Sequence, residues 1–431
     1  MKKYIYCFFA FSLQLSFLSA QVINYTKLDS GVTLIHVEEK GSGTVSASLF
    51  VRGGNSGESA QESGITWLML KLLLKGTGKY NAEQIALETE LLGASITSGC
   101  SNDYSEISLT VLAKNFTPAF QIFADVINNP VFPEKEFETE KRKLLATIMS
   151  KNDSIFDTSL DLFYETIYRG HPYGMPVTGY YASVSSLTVA QAADRYNKMF
   201  RKDDMIISVA GDIEFAKLKE TVEKFFPGVK QVPAEEYSNA GSGLLYAQGE
   251  SFAEKKIFKG KFGQSFIFSG FLAPCAGERV YPAIKLINAI YGGGMGSRLF
   301  EQLREKYGFV YEASSFYPTR ISSSVFAVYA GTSKENIESV ESAIKDTLKN
   351  ISPISEQELL AGKEFLKGTY LMDHRTQYKR AWYLGMWEAV GLGYGYDTTY
   401  IKDIDNVTPY EIHRVIGAYF DISKLVTIIV E

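Results

Sequence analysis

The sequence predicts an α+β protein of two homologous domains, each an antiparallel-rich mixed β-sheet with helices packed on one face. Three observations predict this class. The chain repeats itself at a fixed spacing, strands precede helices within each copy, and antiparallel hairpins take the place of regular strand–helix–strand crossovers. A chain of 431 residues is also too long for one hydrophobic core and suits two domains of about 200 residues.

The first twenty residues have the build of a secretory signal peptide. Lys2 and Lys3 are followed by an apolar run that ends in the small residues Ser19 and Ala20. We therefore expect residues 1–20 to be removed and the mature protein to be exported, which means periplasmic in a Gram-negative source. No later apolar run approaches the roughly 20 residues that a membrane span needs, so we expect no membrane span.

Charge and cysteine content exclude some classes of protein. Without Lys2 and Lys3 the chain has 42 basic and 49 acidic residues, a formal charge near −7, which makes nucleic acid a poor partner. Cys100 and Cys275 are the cysteines beyond residue 20, and the domain division places them in different domains. A disulfide framework is therefore not expected.

The internal repeat is clearest at the end of each copy. Aligning Thr188 with Thr408 places Phe200 on Phe420 without a gap, at an offset of 220 residues. In both copies the pattern predicts a helix capped by threonine, a short polar turn and a strand rich in Ile and Val.

The beginnings of the copies agree as well. Residues 45–54 and 265–274 predict apolar strands that lead into apolar helices, again at an offset of 220. Residues 93–113 and 311–331 each predict an antiparallel hairpin with a polar turn, because apolar and polar positions alternate on both sides of a break.

These repeats divide the chain into two domains. The N-terminal domain is predicted at residues 21–231 and the C-terminal domain at 250–431. The stretch 232–249 between them bears Pro, Ser, Asn and Gly, which is typical of a linker. A duplicated domain of this kind usually presents a groove between its copies.

The most distinctive local pattern is YGGGMGSRLFEQLREKYGFVY, residues 291–311. It lacks both the G-x-G-x-x-G spacing and the Gly-Lys-Ser/Thr of a nucleotide loop, so a tight turn before a helix explains its glycines better. Leu299 and Leu303 then follow at the spacing of a buried helix face. Arg304 stands near the end of this helix and Tyr311 opens the next strand.

This run resembles the C-terminal signature of the pitrilysin/insulinase family of zinc peptidases, which includes insulysin and the mitochondrial processing peptidase. That signature reads Gly-Gly-Gly, Ser-Arg-Leu-Phe, then Arg-Glu-x-x-Gly-x-x-Tyr. The run GHPYGMPVTG, residues 170–179, is similar to the family's His-Pro-x-Gly run. The resemblance covers nearly the whole mature chain and implies a peptidase fold of two homologous domains.

The resemblance also implies a role for Arg304 and Tyr311. In the family this pair faces the zinc across a closed chamber and orients the peptide near the scissile bond. A guanidinium fork and a phenol hydroxyl can hold a peptide carbonyl and polarise its developing negative charge. An Arg at a helix end and a Tyr at a strand start are also commonplace in structural roles, so that interpretation stays open.

The family's inverted zinc motif, His-x-x-Glu-His followed by Lys-Gly-Thr, is degenerate in this chain. Anchoring on residues 75–77, Lys-Gly-Thr, places Trp67 and Lys71 where the two His ligands belong and Leu70 where the general base belongs. Thr147 stands in for the distal Glu ligand. None of these side chains suits zinc, so we predict no metal, no cofactor and no catalytic residue in this chain.

Glu140 corresponds to an acidic residue that supports the zinc site in the family. Three interpretations remain open: a solvated helix glutamate, a vestige of the site, or an ion-pair partner that neutralises Lys71. The four histidines show no ligand spacing; they are His36, His171, His374 and His413.

The resemblance thus implies that this chain keeps the substrate-binding residues of the family's active site, Arg304 and Tyr311, and lacks the zinc ligands. We predict a non-catalytic, substrate-binding subunit of an exported heterodimeric zinc metallopeptidase that degrades or processes unfolded peptides. Its partners would be peptide substrate and a homologous zinc-bearing subunit that supplies the metal. The alternative is a purely structural or binding pseudo-peptidase. A stand-alone hydrolase is disfavoured because the sequence contains no Gly-x-Ser-x-Gly elbow.

Overall fold

The computed structural model describes residues 22–227 and 252–431. It contains one mixed β-sheet in each half with helices around it, which confirms the predicted α+β class. The predicted signal peptide, 1–20, and linker, 232–249, lie outside the described residues. Both segments, and the domain boundaries that depend on them, stay predictions. Within the described ranges, no helix is long and apolar enough to cross a membrane.

The N-terminal sheet has the strand order β1-β2-β6-β3-β5-β4. Its strands are β1 (Ile23–Lys27), β2 (Thr33–Glu38), β3 (Thr44–Arg52), β4 (Ser95–Cys100), β5 (Tyr104–Leu112) and β6 (Met205–Gly211). The β2–β6 pair is parallel and the other pairs are antiparallel. Strand β4 forms one edge of this sheet.

Helices of the N-terminal half follow the strands in chain order. They are α1 (Ile65–Leu72), α2 (Ala82–Leu91), α3 (Phe116–Asn128), α4 (Glu134–Lys151), α5 (Ile155–Ile167), α6 (Tyr181–Ser186), α7 (Val189–Met199) and α8 (Phe215–Phe225). Helix α1 continues as a tighter turn over Leu73–Lys75. Helices α1, α3 and α8 bury apolar residues in one core with strands β2, β3, β5 and β6.

The C-terminal sheet has the strand order β7-β11-β8-β10-β9. Its strands are β7 (Glu254–Phe258), β8 (Ser265–Ala273), β9 (Val310–Phe316), β10 (Ser324–Thr332) and β11 (Val426–Val430). The β7–β11 pair is parallel and the others are antiparallel. Strand β9 lies at an edge, as its counterpart β4 does in the first sheet.

Helices of the C-terminal half repeat the plan. They are α9 (Tyr281–Gly292), α10 (Arg298–Phe300), α11 (Ile337–Lys349), α12 (Glu356–Asp373), α13 (Gln377–Ala389), α14 (Tyr396–Asn406) and α15 (Pro409–Tyr419). Helix α10 runs directly into a wide helical turn, Glu301–Lys306. The glycine-rich run therefore precedes a helix, as predicted, and Leu299 and Leu303 are fully buried.

The predicted repeat is visible in the helix caps. Thr188 begins α7 and accepts a hydrogen bond from the Gln191 backbone N–H, and Thr408 begins α15 and accepts one from Glu411. Each helix leads into a buried central strand, β6 or β11. The two predicted hairpins are β4–β5 and β9–β10.

Each half also sends one helix onto the sheet of the other half. Helix α13 packs across β3 and β6 of the N-terminal sheet, and α5 packs across β8 and β11 of the C-terminal sheet. Phe163 of α5 joins an aromatic cluster with Phe266 and Phe268 of β8. The prediction placed helices on one face only. It was incomplete, because the second face of each sheet is covered by the exchanged helix.

Glycine allows close approach at both crossings. A Cβ at Gly385 of α13 would lie 2.4 Å from the Phe50 ring and 2.5 Å from the Ser208 hydroxyl. A Cβ at Gly270 of β8 would lie 2.9 Å from the Phe163 ring and 2.5 Å from the Phe326 carbonyl oxygen. Close-packed interiors do not absorb an added carbon at such distances, so these contacts fix the two halves against each other.

Candidate functional site

The start of α1 is anchored by a buried carboxylate. Glu58 accepts hydrogen bonds from the backbone N–H groups of Gly64 and Thr66, each 2.8 Å long. Burial raises the pKa of Glu58 to about 7. Arg195 adds a second anchor, since it donates to the Thr66 hydroxyl and to the Gly57 carbonyl oxygen. The helix that bears the degenerate motif is therefore rigidly placed.

Lys71, which the sequence motif aligns with a zinc ligand, makes two contacts. Its Nζ donates a hydrogen bond to the Ser98 carbonyl oxygen at 2.6 Å and lies 4.8 Å from the centroid of the Trp67 ring. Burial lowers the pKa of Lys71. The Ser98 hydroxyl in turn donates to the carbonyl oxygen of the buried Leu70 at 3.0 Å. Lys71 and Leu70 thus tie α1 to the edge strand β4.

Glu140 is neither solvated nor in contact with Lys71. Its side chain is only 10% exposed, and Oε1 lies 3.2 Å from the Lys75 Nζ and 2.8 Å from the Lys143 Nζ. Burial alone would raise the pKa of Glu140, but these two ammonium groups lower it below the usual value. The third interpretation above, a direct ion pair with Lys71, was therefore wrong, because Lys75 takes that place.

Thr147 is exposed on α4, and its hydroxyl forms a hydrogen bond within that helix. Its hydroxyl donates to the Lys143 carbonyl oxygen at 3.0 Å, a common way for threonine to satisfy itself within a helix. Nothing in this arrangement orients it as a metal ligand.

The residues at the degenerate motif do not fit zinc. Trp67 has no suitable lone pair, the Lys71 ammonium donates to a carbonyl oxygen, and the Thr147 hydroxyl is already engaged. Within residues 22–227 and 252–431, no three His, Cys, Asp or Glu side chains are grouped so that they could hold a metal ion. These side chains leave α1 and α4 without a zinc site.

The structure brings Arg304 and Tyr311 together on the other half. Arg304 lies in the wide turn 301–306 and Tyr311 in the edge strand β9. The Arg304 guanidinium donates to the backbone carbonyl oxygen of Tyr311 and lies 5.5 Å from the centroid of the Phe300 ring. The Tyr311 side chain is 62% exposed. The pair therefore meets through the backbone, and the phenol points to solvent.

Arg298, in the same signature, was not singled out from the sequence. Its guanidinium binds both carboxylate oxygens of Glu358, at 2.5 and 3.0 Å, and this pairing lowers the Glu358 pKa to about 2. It also donates to three carbonyl oxygens of the loop between α11 and α12: Asn350, Ile351 and Pro353. The Ser-Arg-Leu-Phe part of the signature is structural here. Sequence spacing could not reveal a partner sixty residues away.

The His-Pro-Tyr-Gly run forms a junction between the two halves. His171 caps a short turn by accepting from the Tyr173 backbone N–H at 3.1 Å. The Tyr173 hydroxyl donates to the buried Asp103 carboxylate, which also accepts from the Ile321 backbone N–H at 3.1 Å. The hydroxyl accepts from the Ser322 backbone N–H at 3.1 Å. The turns of the two predicted hairpins therefore meet at a buried polar network.

Comparison with protein families gives two matches that together span most of the chain. Residues 34–181 match the model described as insulinase, peptidase family M16, and residues 186–366 match the model described as the peptidase M16 inactive domain. These ranges contain the degenerate motif in the first match and Arg304 and Tyr311 in the second.

Relatives agree with these matches. An uncharacterized zinc protease of Rickettsia felis is 29% identical over 397 residues, which is 91% of each chain, and one of Rickettsia bellii is 25% identical over 395 residues, again 91% of each. The uncharacterized zinc protease YmxG of Bacillus subtilis is 26% identical over 346 residues, 80% of this chain and 82% of its own.

Solved structures share the fold at lower identity. A protease from Helicobacter pylori has a TM-score of 0.88 at 19% identity and covers 96% of this chain and 100% of its own. A peptidase M16 inactive domain from Pseudomonas fluorescens has a TM-score of 0.83 at 20% identity, with 95% and 97% covered. With both family models matched in order along one chain, this protein belongs to the insulinase (M16) family of peptidases.

Proposed function

We propose that this chain is the metal-free, substrate-binding subunit of an exported heterodimeric zinc peptidase that degrades or processes unfolded peptides. The observation that carries the proposal is Lys71. Where the family places a zinc ligand, this chain has an ammonium group bonded to the Ser98 carbonyl oxygen and stacked on Trp67. A dication at that position would meet the Lys71 ammonium group in place of a histidine nitrogen.

The substrate side of the proposed function rests on Arg304 and Tyr311. Both are exposed, and both belong to the part of the chain around the edge strand β9. An edge strand carries unpaired backbone donors and acceptors that can pair with an extended peptide. A guanidinium and a phenol beside such an edge can orient a peptide carbonyl. This combination supports binding of unfolded peptide.

The partner is proposed as a homologous chain that carries His-x-x-Glu-His and the zinc. Affinity isolation of the tagged chain from its own source, followed by mass spectrometry of what co-purifies, would identify it. Export rests on residues 1–20, so the mature protein should begin near Gln21 when its N-terminus is sequenced. A mature protein that retains Met1 would contradict export.

The shared active site is tested by Arg304→Ala in the reconstituted complex. We expect kcat/KM for an unstructured peptide to fall at least about tenfold, because one charge-assisted contact to the substrate is lost. Arg414→Ala, which removes an exposed arginine from α15, is the matched control and should leave cleavage unchanged.

The second candidate is a structural or binding pseudo-peptidase that takes no part in cleavage. One observation favours it: the Arg304 guanidinium already bonds to the Tyr311 carbonyl oxygen, as a purely structural arginine would. Unchanged cleavage by the Arg304→Ala complex would support this candidate and contradict the shared site.

A further inference from the structure

A groove of about 920 Å³ lies beside the wide turn 301–306 in the C-terminal half. One wall is formed by that turn together with Tyr307 and Phe309, and the other is a face of α11 that includes Glu338 and Asp346. Arg298 and Glu358 line it as well. Ligand pockets in proteins typically measure roughly 300–1,000 Å³, and this groove is at the upper end of that range.

The groove is negatively charged. Its lining includes four carboxylates, and the guanidinium of Arg298 is already paired with one of them, Glu358. The other three, Glu301, Glu338 and Asp346, are exposed and have no ion pair with any described residue. Such an excess of one sign attracts ligands of the opposite sign.

The groove also has a flat aromatic wall. The rings of Tyr307 and Phe309 are stacked with centroids 5.1 Å apart and planes inclined by 9°, and Tyr307 is 46% exposed. Lys306 borders this wall: its Nζ lies 5.0 Å from the Tyr307 ring centroid and 3.3 Å from the Gln302 side-chain oxygen. An apolar or aromatic side chain can therefore be buried against Tyr307 while charges bind along α11.

The spacing of the carboxylates suggests the form of the ligand. Glu338 and Asp346 are eight residues apart on α11, which at about 1.5 Å per residue separates them by roughly 12 Å along the helix axis. An extended peptide advances about 3.3 Å per residue, so side chains four positions apart lie roughly 13 Å apart on the same face. Two basic residues at that separation would match the two carboxylates.

We propose that this groove binds an extended peptide segment with two basic residues four positions apart and an apolar residue next to one of them, whose side chain faces the opposite wall. The inference rests on the proposed function, because it assigns a substrate class to the same peptide-binding half. The groove adjoins Arg304 along the chain, since Glu301 and Gln302 line it from the same turn.

The test uses the full chain and three labelled peptides with blocked ends and a neutral fluorophore. The first is Ala-Lys-Phe-Ala-Ala-Lys-Ala, and in the others Gln or Glu replaces both lysines. Fluorescence anisotropy at low salt should rank them lysine, glutamine, glutamate in order of falling affinity. The preference should fade at 0.5 M salt, because contacts with exposed charges are screened there.

The double variant Glu338→Gln/Asp346→Asn should weaken the lysine peptide by about fivefold to tenfold and leave the glutamine peptide unchanged, since exposed charge pairs contribute modestly. The matched control is Glu214→Gln/Glu220→Gln, which removes two exposed carboxylates from the region of α8 in the other half. Asp346→Asn alone, in the last turn of α11, provides a milder variant if the double variant is unstable.

Each remaining outcome overturns the inference in a distinguishable way. If the lysine and glutamine peptides bind equally, or the double variant binds like the wild type, the groove is not the basic-peptide site. If binding is instead lost with Arg304→Ala alone, the proposed function survives without this groove. If no peptide binds to the chain at all, the substrate-binding function fails as well.

Discussion

Lys71 Nζ donates a hydrogen bond to the Ser98 carbonyl oxygen across 2.6 Å, and so joins α1 to the edge strand β4. The C-terminal half has a similar contact, because the Arg304 guanidinium donates to the Tyr311 carbonyl oxygen of the edge strand β9. In both halves a cation on a helical segment holds a carbonyl oxygen of the neighbouring edge strand. At α1 this contact is made by the residue that the sequence motif aligns with a zinc ligand.

The first prediction restores the metal site. Trp67→His, Leu70→Glu, Lys71→His and Thr147→Glu together should yield a chain that binds one zinc ion, because His side chains four residues apart lie on one face of α1 and α4 packs beside it. Metal content after dialysis, measured by plasma mass spectrometry, checks this. Lys71→His alone should stay metal-free. A folded quadruple variant without zinc would contradict the alignment of these positions.

The second prediction separates the two arginines of the C-terminal signature. Arg298→Ala should lower the free energy of unfolding by roughly 2–4 kcal/mol, because it removes the charged partner of Glu358 and a donor to three carbonyl oxygens. Arg304→Ala should change it by less than about 0.5 kcal/mol, since Arg304 is exposed. Urea unfolding measures both. Equal losses would mean that Arg304 is structural too.

The third prediction concerns the exchanged helix α13. Gly385→Ala should destabilise the protein by about 1–3 kcal/mol, because the added Cβ meets Phe50 and Ser208 below 3 Å. Gly417→Ala is the control: it lies in α15 with nothing within 4 Å of the added carbon, so it should stabilise by roughly 0.5–1 kcal/mol. Thermal melts that move both variants in the same direction would count against the described crossing.

The fourth prediction is a pH dependence at Glu106, which lies beneath α13. Its carboxylate accepts from the Ser48 hydroxyl at 2.8 Å and from the Tyr378 hydroxyl at 3.4 Å, and burial raises its pKa from 4.5 to about 7. The folded protein thus keeps a proton that the unfolded chain releases above pH 4.5. This contribution to stability is complete below pH 4.5 and is lost as the pH rises through 7.

Glu106→Gln stays neutral at every pH, so its stability relative to the wild type should rise by about 1–2 kcal/mol between pH 5 and pH 8. Urea unfolding at both pH values checks this, with the exposed Glu223→Gln as the control. A difference that does not change with pH would show that Glu106 is already ionised in the folded protein.

Many of the helices and strands could be predicted because local sequence patterns determine them. Threonine caps at Thr188 and Thr408 and alternating strands mark elements in the sequence itself. The sheet on which α5 or α13 packs could not be predicted, because an apolar helix face shows that a helix is buried but not which sheet it packs against. The exchange depends on contacts such as Phe50 with Gly385, more than three hundred residues apart.

The site was predictable only where residue type decides the chemistry. The loss of zinc ligands at Trp67 and Lys71 follows from the side chains alone. The ion-pair partners of Glu140 and Arg298 could not be predicted in this way, since an ion pair depends on geometry between helices that no motif encodes. Asp103 lies in the polar turn of the hairpin predicted at 93–113, and its burial between the halves could not be predicted either.

The most direct measurement of the central claim is made on the purified chain without any partner. Zinc content and hydrolysis of an unstructured peptide are determined on the same preparation. We expect no stoichiometric zinc and no hydrolysis, with cleavage appearing only when a zinc-bearing homologous subunit is added. One zinc per chain together with peptide hydrolysis by the lone chain would contradict the account.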